Sequence, residues 1–376
     1  MRVAVLYRVI QGWRSPIFER LSQESGLETK IFYGPDFPGT KVVSTKKHCN
    51  YSHKELRSIK IKKKSNNGII AMPISFTLPF NLIRYKPDVI LSEGASNFFN
   101  AMTGFAYAKL FRKRFIWWSL GRLQGVKHTG WRKWMYKIIQ YVELNSDAII
   151  SYSSEGKKYF EGIGVDPEKI FVAVNVIDTD LTLNRNGGRE NIIDQRNKAS
   201  GKQKNILFVG ALTLQKKVDM LIESYHRLEK EFSDLHLIIV GDGAERKYLE
   251  NLAKQIGLKS YEFTGKVIDG VDKYFIQSEI FVLPGLGGLA ISESLLFGVP
   301  VIASIGDGCE KDLVRSWVNG VIDENLSVES LTQILTKLLS DENMLRSMQQ
   351  EAAKTIDFDH NIFTYMESVV GAIKAK

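Results

Sequence analysis

The sequence predicts an α/β protein of two doubly wound domains, each a parallel sheet with helices on both faces. Strand-length apolar runs alternate repeatedly with segments of helical period, as crossover-connected parallel strands require. That alternation pauses over a polar, glycine-containing stretch at 181–204 (LTLNRNGGRENIIDQRNKASGKQK) and then restarts. A chain of 376 residues also exceeds what one ordinary core accommodates. The expected layout is a first domain over 1–182, a linker over 183–204, a second domain over 205–356, and a closing helix over 357–376 that packs back on the first domain.

In the first half, RVAVLY (2–7) reads as a buried strand. A loop containing Gly12 follows, then a helix over 17–25 and a strand over 27–33. Residues 41–64 are polar and strongly basic, ending in KIKKK, and read as a solvated loop or edge-strand region. PDVIL (87–91) is a strand closed by the turn Ser92-Glu93-Gly94, and a helix covers 97–109. FIWWS (115–119) is a strand whose turn is Leu120-Gly121-Arg122. WRKWMYKIIQYVEL (131–144) is aromatic, aliphatic and basic at helical spacing. DAIIS (147–151) and 169–174 are strands flanking a helix over 153–162.

The second half repeats the scheme. NILFV (205–209) is a strand, Gly210-Ala211-Leu212 its turn, and 218–232 a helix. LHLIIV (235–240) leads through Gly241-Asp242-Gly243 into a helix over 245–256. YEFT (261–264) is a strand, 272–277 a short helix and IFVL (280–283) a strand. Helices over 328–340 and 342–354 and an amphipathic segment over 361–374 complete the chain.

Composition narrows the class. A hydrophobic content of 44% and a charged content of 25% are those of a globular protein. Cys49 and Cys309 form no metal or redox motif and fit a reducing compartment. The six histidines include no spaced pair of the zinc-binding kind. The first ten residues read as a strand rather than a signal peptide, and no window reaches the roughly 18 apolar residues of a membrane span. A cytoplasmic protein, peripheral on the inner face of the cell membrane, is expected. The net charge of +9 is divided unevenly, with +15 over residues 1–200 and −6 over 201–376. A basic half of that kind suits an anionic surface.

The chemistry concentrates at 280–304 (IFVLPGLGGLAISESLLFGVPVIAS), a strand, a glycine turn, a helix and a second strand. Gly285, Gly287 and Gly288 let backbone approach a ligand closely, and N–H groups at a helix start favour a phosphate. Ligands of doubly wound domains sit at the carboxyl ends of strands. The turns gathered there include Gly12, Ser92-Glu93-Gly94, 120–122, 210–216, 265–267 and 285–289, with Lys216 and Lys266 among them.

VLPGLGGLAISESLLFGVPVIAS resembles the nucleotide-sugar site of family 4 retaining glycosyltransferases of the GT-B fold. ILFVGALTLQKKVDMLIESYHRL, IIVGDGAERKYLENLA, YEFTGKV and NVIDTD resemble further segments of that family, in order and at matching spacing. The resemblance covers 170–304 well and the first domain in outline. It implies two Rossmann-like domains facing across a cleft and a nucleoside diphosphate sugar donor of UDP or GDP type. It further implies a glycan or polyprenyl-linked acceptor and no metal or cofactor.

Carried over residue by residue, Glu293 looks like the glutamate that binds the ribose diol, as a carboxylate can accept both O–H bonds. Gly287, Gly288 and Leu289 would offer backbone N–H groups to phosphate or sugar. Lys216 looks like the diphosphate-binding lysine, stabilising the departing diphosphate. Val267, after Gly265 and Lys266, matches the segment that meets the base; Gly12 and Gly210 match turns facing the diphosphate.

Three departures stand out. The family's first glutamate falls on Gly285, its arginine after the VG turn on Ala211, and its first-domain histidine is absent. Glu93 and Arg122 are the candidates to serve in that histidine's neighbourhood.

Two other patterns carry different chemistry. Asp178-Thr179-Asp180 spells a metal-binding D-x-D but trails a strand, where a surface turn is the simpler reading. The run from Gly285 to Ala290 fits G-x-G-x-x-A, with Asp307 about twenty residues on, and would make the protein an NAD(P)-dependent oxidoreductase. That fingerprint normally follows a domain's first strand.

The 131–144 helix reads either as a core helix with outward Lys and Arg stems or as a helix lying in a membrane interface. With the basic first half, contact with an anionic membrane surface is expected and nucleic acid is not. The sequence-level conclusion is a retaining, metal-independent glycosyltransferase of surface polysaccharide synthesis, of O-antigen or capsule type. The alternatives are the oxidoreductase and a catalytically degenerate GT-B binding module.

Overall fold

A computed structural model describes residues 1–375 except 39, 41, 45–48, 66–67, 123–130, 200 and 202. The side chains of 63–65, 68–70 and 131–132 are also outside the described set, so the expectations for the 41–64 stretch and for Arg132 fall partly there. The chain divides into two compact units: Met1–Ala173 with Phe363–Lys376, and Val174–Ile362.

In the first unit, β1 (Arg2–Tyr7), β2 (Glu28–Tyr33), β3 (His53–Glu55), β6 (Val89–Glu93), β7 (Arg114–Ser119), β8 (Ala148–Ser151) and β9 (Ile170–Val172) form one parallel sheet, ordered β3-β2-β1-β6-β7-β8-β9. β4 (Ile59–Ser65) and β5 (Gly68–Ile74) make a separate antiparallel hairpin. The central strands are apolar throughout because helices cover both faces: Val3, Val5, Ile90, Leu91, Ile116 and Trp117 are fully buried. β5 and helix Leu78–Tyr85 have no counterpart in the sequence reading. Helix Leu78–Tyr85 exposes Phe80 and Ile83, which blurs the apolar face that periodicity relies on.

Residues Phe363–Lys376 belong to the first unit, carried mostly by helix Ile362–Lys374. Arg14, with no exposed surface, donates from Nε to Tyr7 Oη at 3.2 Å and from Nη1 to the Tyr365 hydroxyl. Its guanidinium lies 4.3 Å from the Trp13 ring and 4.6 Å from that of Trp118. Arg114 donates to the carbonyls of Ile373 and Ala372 at the far end of the helix.

The second unit holds β10 (Lys204–Val209), β11 (Leu235–Val240), β12 (Tyr261–Gly265), β13 (Ile280–Leu283), β14 (Val301–Ala303) and β15 (Gly320–Ile322). All are parallel, in the order β12-β11-β10-β13-β14-β15, the doubly wound arrangement. Chain order reverses between β10 and β13, which makes that gap the switch point.

The expected linker is the main difference from the sequence reading. Residues 183–204 include helix Arg189–Ala199, and helix Thr179–Arg185 precedes it inside the second unit. Helix Arg189–Ala199 buries only Ile192, so it lacks an apolar stripe. Arginines hold it instead: Arg189 donates to the Leu296 carbonyl and pairs with Asp357, and Arg196 donates to three carbonyls over 275–278. The unit boundary accordingly falls after Ala173 rather than after residue 182.

Candidate functional site

Turns at the carboxyl ends of five adjacent strands of the second unit pack on one another. Gly241 donates its N–H to Gly265 O at 2.9 Å, joining the turns of β11 and β12. Gly241 has φ of +147°, and a Cβ there would lie 1.8 Å from Gly210 O, so the β11 turn presses directly on the β10 turn. Only glycine permits this approach.

The β10 and β13 turns are tied reciprocally across the switch point. Leu286 N–H donates to Gln215 O at 2.9 Å, and Lys216 Nζ donates to Leu286 O at 2.5 Å and Gly287 O at 2.8 Å. The ammonium therefore sits on the glycine turn, 3.5 Å from where a Cβ of Gly288 would be. A Cβ at Gly285 would lie 2.1 Å from Gln215 O and 2.7 Å from the Lys216 carbonyl carbon. A residue with a Cβ at position 285 therefore requires this backbone to shift. Helix Ala290–Leu296 starts immediately after the turn, and Leu289 provides no side-chain cap.

The β14 loop supports the glycine turn from the other side. Glu310 is fully buried and accepts from Gly306 N–H at 2.5 Å and Gly308 N–H at 3.1 Å. Burial pushes its carboxyl up, and these N–H bonds oppose that. A Cβ at Gly306 would meet Gly287 N at 2.3 Å, so Glu310 shapes the loop that walls the turn. The sequence reading missed Glu310. Its signal was G-D-G-C-E after an apolar strand, a carboxylate beside glycine N–H donors.

Glu293 lies partly buried on helix Ala290–Leu296. Burial, reinforced by the Asp272 charge and opposed by Arg185, raises its carboxyl to about 7. Asp272 is itself clamped by Arg185 Nε and Nη2 at 3.1 and 2.8 Å and by Asn186 Nδ2 at 2.8 Å. Asp272 and Arg185, absent from the sequence reading, set the electrostatics around Glu293, and Asn186 helps hold Asp272. Lys266 is exposed and Val267 partly buried, directly after Gly265 at φ +76°.

The remaining candidates belong to the first unit. Gly12 occupies an exposed turn after β1. Glu93 ends β6; its carboxylate accepts Arg8 N–H at 2.7 Å and the Ser96 hydroxyl, so both oxygens hold loop backbone and side chain in place. Arg122 is exposed, with its guanidinium 6.0 Å from the Tyr136 ring. Asp178 accepts Leu181 N–H at 3.0 Å as the N-cap of helix Thr179–Arg185, a structural use of the D-x-D aspartate. The G-x-G-x-x-A run follows β13, whereas the first strand of its unit is β10, so it does not occupy the dinucleotide fingerprint's place.

Comparison with known proteins bears on the family and the fold. A model of the family described as glycosyl transferases group 1 matches residues 189–355. An uncharacterized glycosyltransferase of Haemophilus influenzae is 31% identical over 177 residues, 46% of this chain and 49% of that protein. The chain thus spans about half the length of that relative. An uncharacterized glycosyltransferase of Methanocaldococcus jannaschii is 27% identical over 315 residues, 77% of this chain and 75% of the relative. Among solved structures, Anabaena HepE in complex with UDP superimposes with a TM-score of 0.75 at 14% identity, covering 100% of both chains. WaaG, a glycosyltransferase involved in lipopolysaccharide biosynthesis, superimposes with a TM-score of 0.67 at 15% identity, again over 100% of both chains. Residues 189–355 match the glycosyl transferases group 1 family, and the α/β fold of the chain is that of the GT-B glycosyltransferases.

Proposed function

We propose that the protein is a retaining, metal-independent glycosyltransferase. It takes a sugar from a nucleoside diphosphate sugar of UDP or GDP type and passes it to a glycan or polyprenyl-linked acceptor in surface polysaccharide synthesis. The observation that carries this reading is the Lys216 ammonium held on the carbonyls of Leu286 and Gly287, beside a glycine turn at the sheet's switch point. A fixed cation and close-approach backbone suit a diphosphate, and they stabilise it further as it departs. Glu293 takes the ribose diol. The UDP bound to HepE and the lipopolysaccharide role of WaaG support the donor and pathway class.

In this reading the acceptor hydroxyl attacks the anomeric carbon on the face the diphosphate leaves, and a diphosphate oxygen takes the proton. The chain contributes positioning and electrostatic stabilisation without a covalent intermediate. The first unit is read as the acceptor and membrane side. Its helix Trp131–Leu144 exposes Trp134 and Tyr141 with Lys133 and Lys137, and helix Leu78–Tyr85 exposes Phe80 and Ile83. No helix among the described residues is long and apolar enough to cross a membrane.

The test is a titration of the full chain with nucleoside diphosphate sugars and NADH, followed by product analysis. One nucleoside diphosphate sugar should bind and be turned over. Lys216→Ala and Glu293→Ala should each lower turnover by about tenfold or more, the loss expected for a charge-assisted contact. Binding of NADH alone, or unchanged turnover in both variants, would sink the proposal.

A further inference from the structure

The second unit contains a cavity of about 690 Å³ away from the glycine turns. It lies between helices Arg189–Ala199 and Glu342–Lys354, and Glu279, immediately before β13, forms part of its wall. The glycine turn leaves the carboxyl end of that same strand, so the two features border opposite ends of β13. None of the residues assigned to the donor lines this cavity. Its size falls in the roughly 300–1,000 Å³ range of small-molecule sites.

The charges around it are unevenly satisfied. Of its two acids, Asp357 is taken by Arg189 Nε and Nη2 at 3.1 and 2.5 Å. The other, Glu279, accepts from Gln349 Nε2 at 2.7 Å. Lys354 pairs with Glu351 at 2.7 Å. Arg196 and Arg346 make no ion pair among the described residues, yet both line the cavity. Arg196 is held rigidly, with Nη1 donating to Phe275 O at 2.9 Å and Ser278 O at 3.0 Å. Burial presses its pKa down and the Glu279 charge opposes that, and the guanidinium remains charged.

The rest of the lining restricts the ligand. Ile192, Ile276 and Phe297 give an apolar floor, while Asn197, Gln277 and Gln350 place amides around it. A fatty-acid-like anion would leave those amides unmatched, and a bare phosphate would leave most of the volume unfilled. Guanidinium groups match phosphate oxygens in a planar fork, and amides match hydroxyls as donor and acceptor together.

We propose that this cavity binds a small phosphorylated polyol of sugar-phosphate size, its phosphate on Arg196 and Arg346 and its hydroxyls on the surrounding amides. The site is separate from the donor site and does not rest on the glycosyltransferase reading.

Calorimetric titration of the full chain with inorganic phosphate, glucose 6-phosphate and glucose tests it. Glucose 6-phosphate should bind saturably and more tightly than phosphate, with no binding of glucose. Arg346→Ala, at an exposed position where folding is retained, should weaken that binding by about tenfold or more. Gln350→Glu, which brings a carboxylate into the cavity, should weaken it similarly, and Lys216→Ala should leave it unchanged. The proposal is overturned if glucose 6-phosphate fails to saturate at millimolar concentration or binds no better than phosphate. It is also overturned if binding is lost in Lys216→Ala while persisting in Arg346→Ala, since the probe then occupies the donor turn. Nucleotide binding to the same variants reports separately on the donor site.

Discussion

Gly285 and Glu293 show how single residues tune one turn. With Gln215 O 2.1 Å from the position of a Cβ, Gly285→Ala must displace the backbone that carries Lys216. A cost of about 1–3 kcal/mol is expected, read as a lower urea midpoint, together with weaker nucleotide binding. Gly285→Glu, which installs a carboxylate at this position, should be no better tolerated. For Glu293 the sign follows from its raised carboxyl, which is about 7 in the fold against an ordinary 4.5. The native state holds that proton more tightly, so this group's stabilisation is complete below about 4.5 and is lost as pH rises through 7. Ribose hydroxyls need the ionised acceptor, so nucleotide affinity should climb between pH 6 and 8 and then level off, as fluorescence titration can follow. Glu293→Gln should flatten both trends; a wild-type affinity independent of pH would remove Glu293 from the ribose.

At the scale of elements, arginines anchor helices both without and with an apolar face. Helix Arg189–Ala199 has one buried apolar residue and anchors through Arg189 and Arg196. Helix Ile362–Lys374 buries Tyr365, Val369 and Ile373, and is joined to the β1 loop by Arg14. Arg14→Met removes a fully buried cation and leaves the Tyr7 and Tyr365 hydroxyls without that donor. A loss of about 3 kcal/mol is expected in urea unfolding. Tyr365→Phe, which keeps the ring and deletes one hydrogen bond, should cost about 1 kcal/mol. Equal, small effects in both variants would show that the helix is held by its apolar face alone. The strands needed no such help, since runs such as NILFV and LHLIIV identify themselves by length and apolar content.

Across the whole molecule, charge is the property that separates the halves. With +15 over residues 1–200 and aromatic side chains exposed at Trp134, Tyr141 and Phe80, the chain should co-sediment with anionic vesicles at low salt. Binding should fall as ionic strength rises and vanish on neutral vesicles. Salt-independent binding, or none at low salt, would exclude an electrostatic membrane contact.

Pattern alone determined the two parallel sheets, because a strand covered on both faces must be apolar along its length and its crossover helices must be amphipathic. It also pointed to the glycine turn at 285–288 and to Lys216 and Lys266 among the strand-end turns, since close backbone approach and a phosphate-sized charge demand particular residue types; the choice of Lys216 between them came from the family resemblance. Tertiary structure decided what those residues touch. It set the Lys216 ammonium on the carbonyls of Leu286 and Gly287, brought Glu310 beneath the loop that walls the turn, and placed Asp272 and Arg185 near Glu293. Apart from the short-range bonds of Glu310 to Gly306 and Gly308, these contacts have no local signature, for the partners are separated by tens of residues and meet only when the sheet aligns its carboxyl ends. The same holds for helix Arg189–Ala199: its stability comes from carbonyls and carboxylates supplied by other elements, which no periodicity records.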